Sequence, residues 1–104
     1  MFGTIGHARM KPGSEGKMQS LMEEWERDIR PKIKGGFLSI AGFKAGMPNE
    51  TVFLGLAQDE QTYRSLANMP EQDAWFHKMM ELVDGDVNWE DVEMEVYQSV
   101  EPTA

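Results

Sequence analysis

Apolar and polar positions divide the chain into a short series of blocks with different periods. The opening block, FGTIGHARM, alternates modestly and gives way to Lys11-Pro12-Gly13, a turn signal, so it predicts a first strand. Ile5, His7 and Arg9 share one face of that strand; Phe2, Thr4, Gly6 and Ala8 share the other. After Ser14, a residue able to cap a helix, the period changes. Glu15 falls in the first turn, where the helix dipole favours negative charge. Met18, Leu21, Met22, Trp25 and Ile29 recur at helical spacing, and Glu23, Glu24, Glu26, Arg27 and Asp28 fill the opposite side. Pro31 ends or kinks this helix, because the residue before a proline avoids the helical region. Gly35-Gly36 turns the chain.

FLSIAGFKAG predicts a second strand, Met47-Pro48-Asn49-Glu50 a short loop, and TVFLGLA a third strand, which together make a hairpin. Asp59 then caps a helical stretch through Tyr63 and Leu66. Pro70 breaks it and suits the first turn of a second stretch reaching about Val83, which Asp84-Gly85-Asp86 closes. In VEMEVYQSV, Val92, Met94 and Val96 alternate with Glu93, Glu95 and Tyr97, predicting a fourth strand before the tail EPTA.

The order β-α-β-β-α-β is the ferredoxin-like pattern, an α+β class in which two helical regions cover one face of a four-stranded antiparallel sheet. At 104 residues, one domain spanning 1–104 is expected, since a single core rarely splits below about 150 residues. The second and third strands then raise a difficulty. Leu38 and Ile40 oppose Phe37, Ala41 and Phe43; Val52, Leu54 and Leu56 oppose Phe53, Gly55 and Ala57. Both faces are apolar, and the helices can cover only one. An uncovered apolar sheet face is rare on a soluble monomer, so a second subunit is expected as its cover.

Charge narrows the partners. Ten Lys and Arg stand against eighteen Asp and Glu, a formal net charge of −8, and such a surface repels nucleic-acid phosphates and anionic lipid. No cysteine is present, which excludes disulfides and thiolate-ligated metal and fits a reducing cytoplasm. No apolar run approaches the roughly 18 residues of a membrane span. No basic start followed by an apolar stretch precedes the first strand, so a soluble cytoplasmic protein is expected.

Four segments add a likeness. "KPG" after the first strand, "RPKIKGGF" after the first helix, the break "NMPEQDAWF" and the closing "DGDVNWEDVEM" together resemble the antibiotic biosynthesis monooxygenase domains of the dimeric α+β barrel superfamily. The resemblance covers essentially the whole chain, and its motifs are structural punctuation. It implies two sheets packed face to face across a homodimer. It also implies the activities of that family: oxygenases without cofactor acting on polycyclic aromatics or quinols, haem-degrading enzymes, and proteins with no established activity.

Chemistry is sparsely marked. His7 and His77 are far apart, neither sits in an H-x-x-x-H or His–carboxylate cluster, and no metal site is expected. No serine stands in a nucleophile elbow. The nine methionines suit core filling better than a flexible pocket, because Met18, Met22, Met79 and Met80 fall at helical core spacing. Trp25 lies on the apolar stripe of the first helix, and Trp89 precedes the fourth strand. His77 lies on the far side of its helix from Trp75, Phe76, Met79, Leu82 and Val83, four residues after Asp73, which predicts a surface pair. His7, on a strand, ranks above it as a catalytic candidate. In haem-degrading relatives a helix histidine follows a tryptophan by ten residues; here Ala67 occupies that place, so the pattern is not reproduced. Haem would enter only on that reading, and otherwise no cofactor is expected. Any pocket is expected between sheet and helices, lined by some of Ile5, His7, Trp25, Phe43, Leu54 and Met79. The leading expectation is a homodimeric monooxygenase acting without cofactor on an aromatic or quinol-like molecule; the alternative is a non-catalytic binding or structural dimer of the same fold, which fold analogy alone does not separate.

Overall fold

The computed structural model describes residues 1–95, so the expected strand over 92–100 lies partly outside the described residues, and the EPTA tail wholly so. Strand β1 (Phe2–Arg9) leads through Pro12 and Gly13 into helix α1 (Glu15–Asp28). A single 3-10 turn at Arg30–Lys32, with Pro31 inside it, takes the chain to the hairpin of β2 (Phe37–Lys44) and β3 (Met47–Ala57). Helices α2 (Glu60–Ala67) and α3 (Pro70–Met80) follow, then β4 (Asn88–Glu93). The sheet order is β2-β3-β1-β4 with every neighbouring pair antiparallel, the ferredoxin-like arrangement. Among the described residues no helix is long and apolar enough to cross a membrane.

Several boundaries differ from the expected ones for local reasons. Ser14 makes no side-chain cap, because its backbone is already near-helical (φ −89°, ψ −2°) and not extended as a capping side chain requires. Asp59 is extended, and its Oδ1 accepts from Thr62 N at 2.8 Å. That bond holds its carboxyl below the usual carboxylate range. Strand β3 starts at Met47, not Thr51. A two-residue turn at Ala45-Gly46, with Gly46 at φ +76°, closes the hairpin at Lys44↔Met47 next to a bulge. Pro48 therefore lies within the strand at the hairpin end, not in a loop. Helix α3 stops at Met80. Leu82 and Val83 leave it to join β1, with Lys11 N donating to Leu82 O at 2.8 Å and Met10 bridged to Val83. Strand β4 begins at Asn88, so Trp89 is inside it and not ahead of it, because pairing with β1 runs from His7↔Asn88 to Phe2↔Glu93.

Register decides which side chains meet the helices. Phe2, Thr4, Gly6 and Ala8 of β1 share a face with Thr51, Phe53, Gly55 and Ala57 of β3, and helices α1 to α3 cover it. Its core joins Ala8, Met10 and Phe53 to Ile29, Leu66, Trp75 and Met79, of which Met79 is only 1% exposed. The other face carries Ile5, Val52, Leu54, Leu56, Leu38, Ile40 and Val92, and among the described residues no helix packs against it, although Leu56 there is only 3% exposed. Leu38 and Ile40 are 40% and 54% exposed there. At one corner of this face Arg9 and Glu50 pair at 2.8 Å, which leaves a polar rim beside the apolar field.

Candidate functional site

The helices do not fill the sheet face they cover. A cavity of about 360 Å3 remains between α1, α2, α3 and the strands. Its walls are aromatic: Trp25 of α1, Trp75 and Phe76 of α3, Phe37 and Phe53 of the hairpin, and Trp89 of β4. The rings brace one another at tilted angles, with centroids 5.5 Å apart for Trp25–Phe37, 5.9 Å for Phe76–Trp89 and 6.4 Å for Phe53–Trp89. Tilted pairs at such spacings avoid the repulsion of a stacked sandwich. Two indole N–H groups are satisfied inside the fold: Trp25 Nε1 donates to Gln72 Oε1 and Trp75 Nε1 to Leu21 O, both at 2.7 Å. These bonds tie α1 to α3 and fix both rings.

Trp89 depends on a glycine. A Cβ added at Gly6 would lie 2.5 Å from Trp89 Cζ3, so a bare backbone there lets the indole settle over β1 towards Phe53. Gly55 opens space differently. A Cβ there would meet only Phe37 Cζ at 3.4 Å, so the missing side chain is part of the cavity volume.

Polar groups gather at two places in the wall. Gln72 and Asp73 stand at the start of α3, while Tyr63 of α2, Thr4 of β1 and Asp91 of β4 form a second group. Burial, reinforced by the Asp91 carboxylate, pushes the Tyr63 phenol above its ordinary value; the hydrogen bond with Thr4 and the Arg64 guanidinium pull the other way. The phenol therefore keeps its proton at neutral pH and is available as a donor. Arg64 Nη2 lies 3.6 Å from Asp91 Oδ2, with both side chains half exposed.

Of the residues expected in the pocket, Trp25 and Met79 line this cavity from the helices, and Leu54 borders it from the strand, although the register turns its side chain to the helix-free face. Phe43 lines a different one, nearer the N-terminal half of α1. Ile5 and His7 lie on the helix-free face, in the rows of Leu54 and Val52, and do not reach the cavity. Alternation had grouped them together without saying which face the helices take. His77 is exposed; its Nδ1 lies 2.8 Å from Asp73 O and 3.6 Å from Asp73 Oδ2, so the ring turns back on its own helix. No imidazole lines the cavity, and these residues do not fit the histidine ligation of haem implied by the resemblance. Among the described residues no three acidic or histidine side chains come together as metal ligands.

Sequence reasoning missed Tyr63, Gln72 and Asp91. Tyr63 could have been found from its place three residues before Leu66 on the apolar side of α2. Asp91 was hidden by the misplaced start of β4, which took Trp89 and Asp91 out of the alternation. Separate His7→Ala and His77→Ala variants are expected to leave the affinity of the cavity for 1-naphthol within about twofold of the parent, as surface substitutions usually do. Tryptophan fluorescence titration checks this, and a large loss for His77→Ala would place that ring in the site after all.

An antiparallel β2-β3-β1-β4 sheet with its helices on one face is the fold of the antibiotic biosynthesis monooxygenases. One crystal structure of that name aligns at TM-score 0.71 and 13% identity over 92% of this chain and all, 100%, of the other. A Deinococcus radiodurans protein provisionally given the same name aligns at TM-score 0.75 and 12% identity, over 98% of this chain and 100% of that one. Rv0793 from Mycobacterium tuberculosis aligns at TM-score 0.74 and 13% identity, over 94% and 98%. At these identities the likeness is one of fold. No protein-family description matches the sequence, and no curated protein matches it either.

Proposed function

We propose that the protein is a homodimeric monooxygenase that uses O2 without a cofactor to oxidise an aromatic or quinol-like molecule bound between helices and sheet. The observation that carries this reading is the cavity itself: about 360 Å3, walled by three tryptophans and three phenylalanines, with a protonated phenol and a carboxylate in one part of its wall. Aromatic walls suit a flat ring, and the few polar groups suit its oxygens.

The chemistry asks little of the protein beyond this. Loss of a proton from an activated ring CH2 gives an anion that reduces O2 directly. The hydroperoxide formed at that carbon loses water, so CH2 becomes C=O and the second oxygen atom leaves as water. In this reading the Asp91 carboxylate takes the ring proton and Tyr63 donates to the substrate oxygen on which negative charge develops. The aromatic walls shield the bound ring, while Asp91 at the edge of the cavity stays half exposed to solvent.

Anthrone is a suitable first substrate, with oxygen uptake as the readout. Asp91→Asn is expected to lower turnover by about a hundredfold with little change in anthrone affinity. Uptake no faster than in buffer, or full activity in Asp91→Asn, counts against the proposal. A second reading, a non-catalytic binder of the same molecules, is favoured by one observation: Asp91 already faces Arg64 at 3.6 Å, which offsets its charge. That reading predicts anthrone binding without uptake.

A further inference from the structure

We propose that the side-chain amide of Gln72 donates a hydrogen bond to a second oxygen of the substrate, so that the molecule bound in the cavity carries two acceptor oxygens on its ring system. This deepens the function proposed above and rests on it for the identity of the bound ring. The starting point is the bond from Trp25 Nε1 to Gln72 Oε1 at 2.7 Å. An indole N–H only donates, so the amide atom facing it is the oxygen. That fixes the orientation of the whole group: Oε1 is occupied, and both N–H bonds of Nε2 are left to donate. A partner with no acceptor of its own thus decides between the two flipped forms of the amide.

The position of Nε2 is the second observation. Gln72 is half-buried in the first turn of α3 and lines the cavity alongside Trp25. Nε2 shares a carbon with Oε1, so the bond to the indole holds it at the same aromatic wall. Among the described residues, Thr51 Oγ1 is the only buried side-chain nitrogen or oxygen without a partner, and none of those residues accepts from Gln72 Nε2, so this NH2 group opens on accessible space. Asp73, the adjacent polar residue, does not take it: its Oδ2 lies 3.6 Å from His77 Nδ1 and its side chain is largely exposed. Accepting from the indole also polarises the amide and strengthens its N–H groups as donors. Gln72 on α3 and the protonated Tyr63 on α2 are then two fixed donors in one aromatic cavity. A ring that displaces water from Nε2 without offering an oxygen leaves a donor unpaired, which costs affinity. Anthrone satisfies one donor. A fused-ring ketone or phenol with a further carbonyl satisfies both and is favoured over its single-oxygen analogue.

The probes are 1-naphthol and its 5-, 6- and 7-acetyl derivatives, which keep one hydroxyl and carry a carbonyl acceptor to different points of the second ring. By calorimetry, at least one acetyl derivative is expected to bind the parent about tenfold more tightly than 1-naphthol. The same derivative should move the Gln72 side-chain NH2 signals in 1H–15N spectra, and 1-naphthol should not. Gln72→Glu keeps an oxygen for the Trp25 N–H and puts an acceptor where Nε2 stood. In that variant the gain should vanish while 1-naphthol binds within about twofold of the parent. Acetyl derivatives that gain nothing over 1-naphthol, or that gain equally in Gln72→Glu, overturn the proposal and leave the ring reading intact. A gain lost in Gln72→Glu, in a protein that takes up no oxygen with anthrone, keeps Gln72 as a donor in a binding site and removes the oxygenase. If neither 1-naphthol nor any acetyl derivative binds, both fall. Should Gln72→Glu fail to fold, the NH2 signals of the parent decide: moved only by an acetyl derivative, they support the donor, and unmoved they overturn it.

Discussion

Ile40→Asp is expected to dissociate the protein into monomers, or to unfold it, while the parent sediments at twice the chain mass at micromolar concentration. Ile40 is 54% exposed on the helix-free face, and its row continues through Leu54 to Ile5. Leu38, 40% exposed, lies in the next row and extends the apolar field. Contiguous apolar surface of this kind is uncommon on a monomer and marks an interface. An unpaired carboxylate held inside such an interface costs several kcal/mol, so the dimer dissociation constant should rise at least about a thousandfold. Ile40→Leu should leave it nearly unchanged. The readout is sedimentation velocity across a dilution series. A parent protein that stays monomeric would remove the dimer from the account and leave the apolar face without an explanation.

The second large effect is a blockade. Gly55→Leu is expected to abolish aromatic binding in the first cavity, weakening 1-naphthol by more than about a hundredfold, with the dimer intact. Gly55 has an ordinary strand backbone, and its Cβ would meet Phe37 at an acceptable 3.4 Å, so the substitution does not strain the chain. The rest of a leucine side chain would enter the space between Trp25, Phe53 and Tyr63 that the ring is proposed to occupy. Gly6→Ala is the informative contrast. There the Cβ comes within 2.5 Å of the Trp89 ring, so the indole must move and the cavity changes shape without being filled. A Gly55→Leu protein that binds 1-naphthol normally would put the ring somewhere else.

The fold was legible in the chain because its signals are local and strong. Pro12 and Pro70 fix the backbone, Gly13 and Gly35 take the positive φ that other residues avoid, and Asp59 caps a helix, each where an element changes. The boundaries that moved were those where long-range pairing overrides local preference. Pro48 reads as a loop residue, yet the two-residue turn before it carries β3 back to Met47. Asn88, Trp89 and Glu90 have no strand pattern of their own, but β1 pairs with them.

The site was less legible for a related reason. A helix-covered face and a helix-free face have the same alternation in a chain whose strands are apolar on both sides, so Ile5 and His7 could be grouped but not assigned. Phe37, Phe53 and Phe76 read as core and also form cavity wall. Whether aromatic side chains meet or leave room between them depends on helix placement, and no spacing in the sequence encodes it. The bond from Trp25 to Gln72 joins residues 47 positions apart and belongs to the same class.

The central claim is that a ring bound among the tryptophans receives one atom of O2. The direct measurement is turnover of anthrone under 18O2, with mass spectrometry of the product. The account predicts a protein-dependent product carrying one 18O atom at the new carbonyl, lost in Gly55→Leu and greatly slowed in Asp91→Asn. A product formed no faster than without protein, or one whose new carbonyl oxygen comes from water, would contradict it.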